Sequence, residues 1–301
     1  MMQSVDAVVV TYNRLELLKE CVQALREQTY PLAKIIVVNN HSTDDTQAYL
    51  DDLAQEDSRV VPVELRDNVG GSGGFNNGLK YFMRYTKDDF AWVMDDDTIP
   101  TADALKALMA KENQMHDKAD IGFLCSNVRW KDGSPAVMNV QAPAKDWDKY
   151  SDDDVTKVAS SSFVSVLLPR QVIATVGYPI KPFFIWGDDI EYTERVIKAG
   201  FEGLFVGDSL IHHKMAHNIV NDIVKENDNV PRIQRYYYEY RNRLYMARKN
   251  GGRDLAETLL RRLYAFLRIL ALPTQYRGLK VRTILKGTLA GFFFNPQIEK
   301  D

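Results

Sequence analysis

Short apolar runs, each ending in a polar cluster and separated by helix-like segments, constrain this chain more than any other feature. Val5 to Thr11 reads as a buried strand, rich in valine and ending on polar residues. Leu15 to Gln28 reads as a helix with Leu15, Leu18, Val22 and Leu25 on one face. Ile35 to Val38, Val60 to Leu65 and Phe90 to Met94 read as further strands. Thr46 to Leu53 and Asn76 to Tyr85 read as further helices, and Gly70 to Gly74 as a loop. This alternation predicts an α/β fold, a mostly parallel sheet with helices on both faces. Ligands in such sheets bind beyond the carboxyl ends of the strands. Thr11-Tyr12-Asn13, Asn39 to Asp44, Asn68 to Gly74 and Asp95 to Asp97 all fall at those ends. Four loops are thus expected to converge on one edge.

The later chain is less regular. Ile121 to Val128 and Ser161 to Leu168 read as strands, with a polar loop over Val137 to Asp154 between them. Ile190 to Ala199 reads as a helix stopped by Gly200. Leu204 to Val206 and Ser209 to Ile211 read as two short strands before His212-His213. From about Pro231 the pattern turns helical and basic, which predicts a catalytic domain over 1–230 and a helical extension over 231–301. With 45% hydrophobic and 26% charged residues the chain has enough apolar content for a packed core, which argues against disorder. A net charge of -3 gives no global attraction to nucleic acid. Cys21 and Cys125 have neither metal nor redox spacing and read as free thiols of a reducing compartment.

Asp95-Asp96-Asp97 follows directly on Trp92-Val93-Met94. Adjacent carboxylates repel one another, and a hard divalent ion such as Mn²⁺ or Mg²⁺ is their natural partner. The plain alternative is a solvated acidic turn. The glycines before Phe75 suit close backbone approach to a diphosphate, with Gly70, Gly71 and Gly73 as candidates, or else form a flexible loop. Asp188 and Asp189 open a helix behind the aromatic residues Phe183, Phe184 and Trp186. A carboxylate in a partly dry pocket can act as a base, although Asp188 could serve only as a helix cap. His212 or His213 could complete a metal shell begun by carboxylates, or be an ordinary packed histidine.

In these motifs the chain resembles the inverting glycosyltransferase family 2, with its GT-A fold, from Val5 to about His213. Val8 to Arg14 is similar to the family's opening strand, and Ile36 to Asp44 to its second motif, with Asn39 where an aspartate is usual. Asn68-Val69-Gly70 and Asn76-Asn77-Gly78 follow in order. The resemblance implies that Thr11, Tyr12, Asn13, Asn39, Asn40, Asn68, Gly70, Gly71, Gly73, Asn76, Asp95 and Asp96 hold a nucleotide-sugar donor. It implies metal ligation by Asp95, Asp97 and His213, with the register between His212 and His213 open by one. It aligns Asp189 with the catalytic base and leaves Trp186, Asp188 and His212 for the acceptor, or Trp186 for the core. The glycine run followed by Met94-Asp95-Asp96-Asp97 looks like bacterial galactofuranosyltransferases, with rhamnosyltransferases next. UDP-galactofuranose is the first donor implied and dTDP-rhamnose the second. A nucleotidyltransferase and a non-catalytic glycan-binding module are the rival classes.

The chain opens with Met1-Met2-Gln3-Ser4 and lacks a basic n-region, so no signal peptide is expected. No apolar run approaches the roughly 20 residues of a spanning helix. Between Arg232 and Lys286 the only acids are Glu239, Asp254 and Glu257, among many Lys and Arg residues interleaved with Leu, Tyr and Phe. Such helices can lie on an anionic membrane from the cytoplasmic side, within reach of a lipid-linked glycan acceptor. The alternatives are packing on the catalytic domain or on a second copy of the chain.

Overall fold

The computed structural model describes residues 2–218 and 221–300. The elements in chain order are β1 (Val5–Thr11), α1 (Leu15–Arg26), β2 (Lys34–Asn39), α2 (Thr46–Glu56), β3 (Val60–Glu64), α3 (Gly70–Tyr85), β4 (Phe90–Asp95), β5 (Thr98–Pro100), α4 (Ala104–Met115), β6 (Ile121–Trp130), β7 (Ala142–Pro143), β8 (Val155–Ser160), β9 (Val166–Pro169), α5 (Arg170–Val176), α6 (Asp188–Lys198), β10 (Glu202–His213), α7 (Val230–Asn250), α8 (Gly252–Ala271) and α9 (Arg277–Phe293).

One sheet runs in the order β3-β2-β1-β4-β9-β6-β10-β8-β7, and β5 pairs with β10. Strands β3, β2, β1 and β4 are parallel, so their carboxyl ends share one edge. The rest of the sheet is mixed, because β9 runs antiparallel to both β4 and β6. Alternation along β1 divides the core. Val5, Ala7 and Val9 pack with Leu18, Val22, Leu50 and Leu105 on one face. Val8 and Val10 pack with Phe75, Leu79, Val172 and Tyr192 on the other. Both faces are therefore covered by helices, as the alternating pattern predicts.

Three local readings differ from the structure. The glycine run is the first turn of α3 rather than a loop, because its small residues let the helix lie against the sheet. A Cβ on Gly74 would stand 2.4 Å from Val10 Cγ1, and one on Gly78 2.5 Å from Val8 Cγ1. Leu204 to Ile211 lies within a single strand, β10, with an irregularity between Val206 and Leu210 that reads in sequence as a break. Of Ser161 to Leu168 only the end is strand, while β8 occupies the residues before Ser161. Helices α4 and α5 are additional to the elements read from the sequence.

The C-terminal helices form their own apolar cluster, with Ile233, Tyr236, Ile269 and Ile284 buried. Gly287 and Gly291 let α9 approach α7 closely, since a Cβ at Gly287 would lie 2.6 Å from the Tyr237 carbonyl oxygen. After α9 the chain returns to the sheet domain, where Tyr178 N donates to the Glu299 carbonyl at 2.9 Å.

Candidate active site

The acidic triplet sits where β4 ends and turns into β5. Thr11, at the end of β1, donates its hydroxyl to Asp96 Oδ2 at 2.8 Å. Arg14 donates to Asp97 Oδ2 at 2.8 Å and to Asp96 Oδ1 at 3.3 Å. The antiparallel pairing of β5 with β10 sets Thr98 opposite His213 and Ile99 opposite His212. His213 Nε2 lies 3.0 Å from Asp97 Oδ1. Strand alternation turns His212 to the opposite face.

Asp95, Asp97 and His213 each offer a ligand atom, all within 4.8 Å of one another. The hydrogen bonds fit a cation there. Asn139 Nδ2 donates to Ser162 Oγ at 3.0 Å, which leaves Asn139 Oδ1 to accept from His213 Nδ1 at 2.8 Å. His213 Nε2 and Asp97 Oδ1 face each other, and a divalent ion between them would be ligated by both, with Nδ1 keeping its proton on Asn139. The three acids differ in how readily they ionise. Burial, then the charges of Asp97 and Asp96, push the Asp95 carboxyl well above the ordinary range. Burial lifts Asp96 to about 6 in spite of Arg14. Burial also acts on Asp97, but His213 and Arg14 outweigh it and hold that carboxyl low.

The N-terminus of α6 faces the same edge, and the Asp188 charge adds to the shift of Asp95. Asp188 is not the helix cap. Gly187 occupies that position without any side-chain cap bond. Burial, then the charge of Asp189, raises Asp188 to about 7. Burial also raises Asp189, partly offset by the hydrogen bond from the Ile190 amide at 2.8 Å and by the Arg243 charge. The chain reaches these acids through an unusual backbone. Phe184 has φ 67 and ψ -59, with Ile185 N donating to the Phe183 carbonyl at 2.8 Å, which is the strained hand of the γ-turn. Trp186 and Gly187 follow with φ 64 and φ 88. Such conformations cost about 1–3 kcal/mol each for residues with a Cβ. Trp186 is partly buried, its ring 5.1 Å from that of Tyr236.

The loops expected to hold a donor interlock. Asn13 Oδ1 accepts from Thr43 N at 2.7 Å, next to the exposed Tyr12. Asn39 is committed to Gln47 Oε1 at 2.9 Å and to Ser42 N at 2.9 Å. Asn40 donates to the Gly70 carbonyl at 3.0 Å, and Asn68 Oδ1 accepts from Gly70 N at 2.9 Å. Gly70 and Gly73 are buried, whereas a Cβ on Gly71 would meet open space. Asn76 lies further along α3 and donates to the Pro179 carbonyl and to Glu299 Oε2, each at 2.8 Å, away from the acidic cluster. Arg14, Asn139 and Arg243 were not among the residues assigned from sequence. Arg14 ends the Val8 to Arg14 motif, but nothing in the polar loop marks Asn139 and nothing in a basic helix marks Arg243.

Residues 6–145 match the sequence profile of the family described as Glycosyl transferase family 2. Over 287 residues the chain is 25% identical to "Galactofuranosyltransferase GlfT1" of Mycobacterium tuberculosis (strain ATCC 25618 / H37Rv), covering 89% of this chain and 90% of that one. Over 115 residues it is 31% identical to "GalNAc(5)-diNAcBac-PP-undecaprenol beta-1,3-glucosyltransferase" of Campylobacter jejuni subsp. jejuni serotype O:2, covering 38% of this chain and 36% of that one. Among solved structures, GalNAc-T7 with UDP, GalNAc and Mn²⁺ superposes with a TM-score of 0.59 at 13% identity. That match covers 88% of this chain and 55% of the other, so the present chain spans about half of GalNAc-T7 and shares its GT-A fold. The chain thus has a GT-A fold, matches the family 2 glycosyltransferase profile over residues 6–145, and resembles galactofuranosyltransferases along most of its length.

Proposed function

We propose that the protein moves galactofuranose from UDP-galactofuranose onto a hydroxyl of a cell-surface glycan carried on lipid, with inversion. One observation supports the chemistry most. Asp95, Asp97 and His213 meet at the edge faced by the acidic start of α6. Support for the sugar comes from the resemblance to GlfT1 along most of both chains. The Campylobacter relative, whose name includes an undecaprenol diphosphate, supports a lipid-linked acceptor.

Asp95, Asp97 and His213 would hold Mn²⁺ or Mg²⁺. Such an ion supplies positive charge beside the diphosphate leaving group. Thr11 and Arg14 orient Asp96 and Asp97 at the same edge. Thr11, Tyr12, Asn13, Asn39, Asn40, Asn68, Gly70 and Gly71 border the donor side, and Trp186 and Asp188 the acceptor side. Asp189 takes the proton of the acceptor hydroxyl as its oxygen bonds to the anomeric carbon and the bond to the diphosphate breaks. Its raised pKa makes it a stronger base than an exposed aspartate.

We place the working enzyme on the inner face of a membrane. Among the described residues no helix is long and apolar enough to cross one. Leu260, Leu263, Tyr264, Leu267 and Leu270 nevertheless form an exposed stripe on α8, and Leu285, Leu289 and Phe293 another on α9. Arg253, Arg261, Arg277, Arg282 and Lys286 are exposed on the same helices. Not every basic residue there is free for lipid. Arg241, Arg262 and Lys280 are buried, with Lys280 Nζ on the Val224 carbonyl at 3.1 Å.

The deciding experiment is a donor screen with Mn²⁺, in which nucleotide sugars are incubated with the protein and released nucleoside diphosphate is measured. UDP-galactofuranose is expected to be consumed, and chelator to stop it. Preference for dTDP-rhamnose moves the assignment to rhamnosyl transfer. Release of pyrophosphate instead of nucleoside diphosphate points to a nucleotidyltransferase.

A further inference from the structure

The residues that hold the strained approach to Asp189 come from α7, more than fifty positions later in the chain. Asn242 is fully buried. Its Nδ2 lies 3.0 Å from the Phe183 carbonyl oxygen, 3.1 Å from that of Ile185 and 2.9 Å from that of Trp186. The orientation of this carboxamide is set, because Arg241 Nε donates to Asn242 Oδ1 at 3.0 Å. Arg241 Nη2 also donates to the Phe183 carbonyl at 3.1 Å and to the Pro182 carbonyl. Its guanidinium lies 4.0 Å over the Phe294 ring, which holds it in place. On the other side of the segment, Ser72 N at the start of α3 donates to the Phe184 carbonyl at 3.2 Å.

Two side chains of α7 therefore hold the carbonyls of the turn in which Phe184 and Trp186 have positive φ. The turn ends at Gly187, and α6 starts with Asp188 and Asp189. Any change in how the carbonyls point re-aims both acids and the Trp186 ring. Asparagine suits this position because an uncharged amide supplies two N–H donors in a small volume. An aspartate would present acceptors to acceptors.

We propose that Asn242, braced by Arg241, is a positioning residue for the transfer site, fixing the turn over 183–187 so that Asp189 and Trp186 meet the acceptor. This rests on the reading of Asp189 as the base. A role limited to docking α7 would lower stability and all binding together. A positioning role lowers the chemical step and leaves the donor side intact.

The test uses the full chain and Asn242→Asp, which keeps the shape and removes the donors. Sugar transfer is expected to fall roughly 100-fold in kcat, the size associated with misplacing a reacting group by about an ångström. The donor KM, and UDP binding with Mn²⁺ by calorimetry, are expected to change far less than kcat, by about threefold at most, since Asn242 reaches the donor-side start of α3 indirectly, through the turn whose Phe184 carbonyl Ser72 N meets. Hydrogen exchange of the 183–189 amides is expected to quicken while β1 and β4 stay protected. Transfer at the wild-type rate overturns the proposal. So does loss of UDP binding in step with kcat, or unchanged exchange over 183–189. If Asn242→Asp does not fold, Arg241→Lys serves instead. It keeps the charge but loses the fork that braces Asn242, and a fall of roughly tenfold in kcat with the same split is expected. Wild-type behaviour of Arg241→Lys then overturns the proposal. A wild-type protein that transfers no sugar is a failure of the transfer reading, and the exchange measurement still reports on the clamp separately.

Discussion

Asp189 and Asp6 are both shifted aspartates, and they differ in what the shift does. Asp189 lies at the strand-end edge, where burial raises its affinity for a proton and Arg243 limits the rise. Replacing it with Asn keeps the shape and removes the proton acceptor. We expect Asp189→Asn to lower kcat by about two to four orders of magnitude, the range for a lost general base. Donor affinity by calorimetry should hardly move. A mild Asp189→Asn beside a crippling Asp188→Asn moves the base by one residue. Asp6 lies at the other end of β1, fully buried, with neither carboxylate oxygen hydrogen-bonded in the structure. Burial, then the Asp88 charge, raises it from 3.8 to about 7. The folded chain thus holds this proton more tightly than the unfolded one. Stability from Asp6 is fully present below pH 4 and is lost as the pH rises to about 7. Asp6→Asn should therefore stabilise the protein at pH 8 by on the order of 2 kcal/mol and change little at about pH 3.5. Denaturant unfolding at the two pH values checks this, and an equal gain at both counts against a buried, protonated Asp6.

At the scale of elements, the start of α3 is a packing solution. Gly70 has φ +73, and a Cβ there would stand 2.0 Å from the Phe184 carbonyl oxygen. Phe184 cannot easily retreat, because its turn is held from α7. Gly70→Ala is expected to cost about 3 kcal/mol or more, from the strained φ together with a backbone clash. Gly71, one residue on, meets nothing within 4 Å and lies inside the helix. Gly71→Ala should be neutral or stabilising by up to about 1 kcal/mol, the helix propensity of Ala over Gly. Chemical denaturation of the pair tests the reading, and similar losses at both positions contradict it. The same glycines would look alike in a flexible phosphate-binding loop. Their separate roles appear only once α3 lies on β1 and against the 183–187 turn.

Across the whole molecule, α7 reaches the turn before Asp189, while α8 and α9 leave an apolar surface in solvent. Leu263, Leu267, Leu289 and Phe293 are all more than half exposed, at 54%, 52%, 62% and 80%. Packing on the catalytic domain therefore does not account for these stripes. Intact protein should pellet with anionic vesicles at low salt, ignore neutral ones, and come off as ionic strength rises. Replacing Arg253, Arg261 and Arg277 together with Glu should abolish pelleting, each original charge contributing about 1 kcal/mol near an anionic surface. If the intact chain never binds anionic vesicles and instead forms a concentration-dependent dimer, the stripes belong to a second copy.

The α/β class and the edge where function gathers were legible in the sequence, because both depend on local pattern. Valine-rich runs such as Val5 to Thr11 have to be buried, and the polar residues after them have to lie at strand ends. The acidic triplet stood out for the same reason, since it follows directly on a buried strand, where adjacent carboxylates are better matched by a cation than by solvent. Sequence left the choice between His212 and His213 open, and in the structure the pairing of β5 with β10 sets His213, not His212, beside Asp97. It could not show that Asn139 orients that imidazole or that Asn242 grips the turn before Asp189. Those contacts join residues 74 and 56 positions apart, and nothing in local composition marks which partner a distant amide will meet. Local pattern sets which residues are buried and where the chain turns. Which distant residues meet at the edge depends on how the sheet and the C-terminal helices pack together.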